Sequence, residues 1–96
     1  MLVLITYDVN TETSDGKSRL RHVAKICEDY GQRVQNSVFE CLLDPAQLLF
    51  VKTKLLGIIN EKEDSLRIYH LGEKYDRKIE SFGFKQSYDP QKPLIF

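Results

Sequence analysis

A chain of 96 residues, 42% hydrophobic and 29% charged, can bury one modest core and is too short for two domains. Its 14 Lys and Arg residues balance 14 Asp and Glu, so bulk charge does not draw it to nucleic acid, and only local clusters of basic residues could. No apolar run approaches the roughly 20 residues of a membrane span, so no membrane is expected among its partners.

The apolar run Met1 to Tyr7 reads as a buried strand, with neither the basic leader nor the small-residue cleavage site of a signal peptide. Asp8 stands where that strand runs out, before a polar loop of Asn10, Thr11, Thr13, Ser14, Asp15 and Gly16. A helix is expected to begin between Ser14 and Ser18 and to run to Tyr30, with Leu20, Val23, Ala24, Cys27 and Tyr30 on one apolar face and Gly31 as its stop. Residues 33–43 read as strand, long enough to be two short strands bending at Asn36 and Ser37. Asp44 and Pro45 announce a second helix, as N-cap and first-turn proline. Leu48, Val51, Lys52, Leu55, Leu56 and Ile59 continue it, and the polar residues 60–64 end it. Leu66, Ile68, Tyr69 and Leu71 form a further strand, closed by Gly72. The order predicts an α+β, ferredoxin-like βαββαβ core over residues 1–72.

Ile79, Phe82, a break at Gly83 and a final Leu94, Ile95 and Phe96 are left over, strand-forming sequence without a place in a four-stranded sheet. An extra C-terminal strand in a homodimer is expected, with residues 73–96 completing the partner's sheet. Cys27 and Cys41 fit no metal or redox spacing and sit in apolar patterns, which suits buried thiols in a reducing cytoplasm. His22 and His70 have no partner at metal-ligand spacing, and no P-loop or nucleophile elbow is present.

A carboxylate at a strand end can hold Mg²⁺, which takes hard oxygen ligands and keeps water positions open. The plainer role for Asp8 is to serve the turn. One aspartate is a poor metal site, but a two-fold dimer with Asp8 near its axis would supply two carboxylates to one ion. Basic residues gather at Lys17, Arg19, Arg21 and Lys25, and again at Arg67, Lys74, Arg77 and Lys78. They form either a solvated face or, doubled in a dimer, a track for a duplex backbone.

Three stretches at fixed spacing carry a resemblance. Tyr7-Asp8-Val9 follows the apolar strand, Arg19-Leu20-Arg21 lies in the first helix, and Tyr30-Gly31-Gln32-Arg33-Val34-Gln35-Asn36-Ser37-Val38-Phe39-Glu40-Cys41 follows it. The chain resembles the CRISPR-associated Cas2 family, the small partner of the spacer-acquisition machinery. Its ends, including Pro93-Leu94-Ile95-Phe96, are similar to the type I-C branch. The resemblance implies a homodimeric, metal-dependent endonuclease acting with a larger integrase subunit. It implies Mg²⁺, with Mn²⁺ able to substitute, and double-stranded DNA as partner, with single-stranded RNA as the alternative. Asp8 takes the place of the family's proposed metal ligand and catalytic residue, while Tyr7, Arg33, Ser37 and Phe39 match other implicated positions. Each of these four has a structural alternative: core packing for Tyr7 and Phe39, a rim charge for Arg33, and the strand bend for Ser37. The competing function is an architectural DNA scaffold without chemistry.

Overall fold

The computed structural model describes residues 1–71 and 78–83. Their elements are β1 (Leu2–Asp8), α1 (Ser14–Tyr30), β2 (Gln32–Gln35), β3 (Val38–Leu42), α2 (Pro45–Ile58), β4 (Ser65–His70) and β5 (Lys78–Gly83). All neighbours in the sheet are antiparallel, in the order β2-β3-β1-β4-β5. The first four strands and two helices are the expected ferredoxin-like arrangement.

Local chemistry sets the boundaries. Thr13 caps α1, its hydroxyl accepting from the Gly16 amide at 3.1 Å. Asp44 caps α2 in a reciprocal box, accepting from the Gln47 amide at 2.7 Å while the Gln47 side chain accepts from the Asp44 amide at 3.0 Å. Gly31 follows α1, as expected of its stop. Its backbone is extended (φ −155°), and a Cβ there would overlap Cys41 Sγ and come within 2.6 Å of the Glu40 carbonyl. The glycine lets the helix exit press against β3.

Alternation along the strands divides the core in two. Val3, Ile5, Tyr7, Phe39, Cys41, Leu66 and Ile68 face the helices and pack with Val23, Cys27, Leu48, Val51 and Leu55. Leu4, Val38 and Tyr69 form a second cluster on the opposite, helix-free face, with Leu71 against it. Burial on both faces explains why Leu66, Ile68, Tyr69 and Leu71 read as one apolar run.

Residues 73–96 are expected to complete the partner's sheet, and of these 78–83 are described. In the structure Lys78–Gly83 lies along this chain's own β4, with Tyr69 opposite Ile79 and Leu66 opposite Phe82. Phe82 packs against the helix-side core. Gly83 has φ +111° and sits where a Cβ would strike the Asp64 carbonyl, which accounts for the break read there. Lys74, Arg77 and the closing Leu94, Ile95 and Phe96 lie outside the described residues.

Candidate active site at the end of the first strand

Asp8 is the last residue of β1 and is exposed. It pairs with Ser65 across β4, and alternation puts it on the helix-free face with Leu4 and Thr6. On the other side the β2–β3 turn approaches, the Tyr7 amide donating to the Ser37 carbonyl at 3.2 Å. Asp8 therefore sits between the Asn36–Ser37 bend and the start of β4. Arg67, opposite Thr6, is a basic residue on this same sheet face.

The other sequence candidates form one connected unit behind that end of the strand. Tyr7 stacks on Phe39 with ring centroids 6.1 Å apart and 20° between planes. The Arg33 guanidinium lies 4.9 Å over the Phe39 ring, and its Nη1 donates to the Asn36 carbonyl at 2.9 Å, holding the bend. Glu28 is 3.8 Å from Arg33 Nη2. Phe39 is fully buried on the helix side, where it packs in the core. Burial, and then the nearby Cys27, push the Tyr7 phenol up to about 12, which keeps it protonated and unfit as a base near neutral pH. Burial likewise raises the thiols of Cys27 to about 12 and of Cys41 to about 11, so both are neutral core groups.

The basic residues do not share one surface. Lys17, Arg21 and Lys25 recur at four-residue steps along the exposed side of α1, across the sheet from Asp8. Lys25 is paired with Asp29 at 2.9 Å. Lys78 opens β5 opposite His70. Arg19 turns inward: its Nε donates to Asp64 Oδ2 at 2.7 Å and its Nη2 to Asp64 Oδ1 at 3.2 Å. Only 16% of the Arg19 side chain is exposed, so a phosphate contact from it has no support.

Asp64, beside the end of β1, is a residue that the sequence did not single out. Its side chain is fully buried, and it also accepts from the Asn10 and Asn60 amides at 2.9 Å each. Burial alone would raise its carboxyl; the Arg19 hydrogen bond and the two amides outweigh that and hold it below the usual carboxylate range. The usable signal was its position directly before a buried strand, where a charge needs partners.

A family model described as CRISPR associated protein Cas2 matches residues 1–79. The chain belongs to the Cas2 family. It is 58% identical over 96 residues, the full length of both, to the "CRISPR-associated endonuclease Cas2" of Halalkalibacterium halodurans. It is 54% identical over 95 residues to the "CRISPR-associated endoribonuclease Cas2" of Nitratidesulfovibrio vulgaris, covering 99% of this chain and 93% of that one. The crystal structure of Streptococcus pyogenes Cas2 superposes with a TM-score of 0.70 at 63% identity, covering 78% of this chain and 90% of that one. The Cas2 relatives are thus named for cleavage of nucleic acid, under both a general and an RNA-specific name. No described helix of this Cas2 member is long and apolar enough to cross a membrane.

Proposed function

We propose that this chain is a divalent-metal-dependent endonuclease of CRISPR spacer acquisition, working as a two-fold homodimer beside a larger integrase subunit. The carrying observation is the place of Asp8: an exposed carboxylate at the end of β1 on the helix-free sheet face, beside Thr6, Ser65 and Arg67. Leu42, opposite Leu2 on that face, is 77% exposed. Face-to-face packing about a two-fold axis near the strand end would bring two Asp8 carboxylates together.

Asp8 fits a hard divalent cation by its chemistry, and a second copy supplies what one chain lacks. Among the described residues no three His, Cys, Asp or Glu side chains form a metal cluster. Asp64, close in the fold, is saturated by Arg19 and two amides and has no oxygen to offer. The Asp8 pair would therefore hold Mg²⁺ or Mn²⁺, with water in the remaining positions. Such an ion polarises a phosphoryl oxygen and lowers the pKa of a bound water. Cleavage should vanish in EDTA and return with Mn²⁺, tested on duplex DNA and single-stranded RNA with one preparation. Cleavage unchanged in EDTA would exclude this chemistry.

A scaffold role is favoured by a separate observation, the Lys17–Arg21–Lys25 stripe across the sheet from Asp8. Phosphate contact there would be independent of the cleavage site and indifferent to sequence. Arg21→Ala should lower duplex affinity for all sequences alike and flatten the log–log salt dependence by about 0.9. A salt slope unchanged in that variant would remove the stripe from the interface. In the dimer, residues 73–96 would complete the sheet of the second copy.

A further inference from the structure

Donors from three places converge on the Asp64 carboxylate: the Asn10 amide after β1, Arg19 of α1 and the Asn60 amide before β4. The β1–β4 ladder ends at the Asp8–Ser65 pair. Just beyond it, the Asn10 amide donates to Asp64 Oδ1 at 2.9 Å, two residues after Asp8, while Asp64 itself immediately precedes Ser65. The Asp64 side chain thus closes a short ring across the strand ends, where a backbone ladder would otherwise be needed. Arg19 reaches the carboxylate from α1 with two donors, at 2.7 and 3.2 Å, which fixes its plane as well as its charge. The Asn60 amide holds Oδ2 at 2.9 Å and pins the loop leading into β4.

The packing around this ring is independently tight. A Cβ at Gly16 would strike the Asn10 carbonyl, and a Cβ at Gly83 would strike the Asp64 carbonyl. Glycines therefore approach both residues joined by the Asn10–Asp64 hydrogen bond. We propose that Asp64 is a positioning residue for Asp8: its buried, Arg19-paired carboxylate fixes the backbone on both sides of the Asp8–Ser65 pair and so fixes where the Asp8 carboxylate points. The inference rests on the reading of Asp8 as the metal-holding carboxylate. An asparagine at 64 keeps the size but turns an amide donor toward groups that are all donors. A lysine at 19 keeps the charge but loses the fork.

The test uses the full chain as its purified dimer, with Asp64→Asn, Arg19→Lys and Asp8→Asn, each well below its melting midpoint and shown folded by circular dichroism. Mn²⁺ affinity is read from the paramagnetic resonance of the free ion, and cleavage as kcat and KM separately. In Asp64→Asn both Mn²⁺ affinity and kcat should fall about tenfold or more, with KM for the nucleic acid unchanged, because a small misdirection of a ligand costs that much. Arg19→Lys should show a smaller fall of the same kind, and Asp8→Asn/Asp64→Asn should be no worse than Asp8→Asn alone. If folded Asp64→Asn and Arg19→Lys bind Mn²⁺ and turn over as wild type while Asp8→Asn does not, the positioning role is wrong and the Asp8 reading stands. If Asp8→Asn is itself without effect, the Asp8 reading fails and takes this inference with it. Should Asp64→Asn not fold, Arg19→Lys decides alone.

Discussion

Asp8→Asn is expected to reduce cleavage about 10³-fold or more while leaving the protein folded. A bound divalent cation contributes several kcal/mol to the transition state of phosphodiester hydrolysis, and each 1.36 kcal/mol is a factor of about ten. The amide keeps the shape of the side chain and removes the charge that holds the ion. Asp8 is exposed and its side chain lies off the helix-side core, so the substitution should change stability by no more than about 0.5 kcal/mol. Duplex binding should survive, because the basic stripe of α1 lies across the sheet. Rates on nucleic acid with saturating Mn²⁺, beside a thermal melt, check both halves. A folded Asp8→Asn variant that cleaves at the wild-type rate would remove Asp8 from the chemistry.

Asp64→Ala is expected to have the largest effect on stability, about 3 kcal/mol or more, or a fall in Tm of about 10–20 °C. The alanine strands two backbone amides, those of Asn10 and Asn60, and leaves the Arg19 guanidinium without its counter-charge. The same ion pair sets a pH dependence. The folded carboxyl of Asp64 lies below its ordinary 3.8, so its contribution is fully present above that value. It is lost progressively as pH falls from about 4 through the depressed folded value. Chemical denaturation should show wild type losing stability in acid more steeply than Asp64→Asn. Equal acid slopes in the two would mean that the pair does not carry the linkage.

Most of the fold was legible because the residues announce it locally. The Asp44-Pro45 start of α2, the bend at Asn36 and Ser37, and the Val23–Cys27 stripe of α1 are short-range signals, and each element lies where they put it. Asp8 was legible too, since a charge directly after an apolar run marks a strand end. What escaped was long-range. Asp64 and Arg19 are 45 residues apart, and each looks like an ordinary solvated charge within its own segment. Arg19 was read with the basic residues of its helix because periodicity does not tell a helix flank from a face. Gly31 was legible as the end of α1, while its close approach to Cys41 across the fold was not. Tyr7, Phe39 and Arg33 were seen as separate candidates, whereas their stacking beneath the strand end needs the β1–β3 register.

A crystal structure of the protein grown with Mn²⁺ and recorded at the metal's absorption edge tests the central claim most directly. The expected result is a two-fold dimer packed through the helix-free sheet face, with an anomalous peak between the two Asp8 carboxylates at about 2.0–2.2 Å from their oxygens, as for other small hard divalent ions. A dimer that holds the two Asp8 side chains far apart, with Mn²⁺ bound elsewhere or not at all, would contradict it.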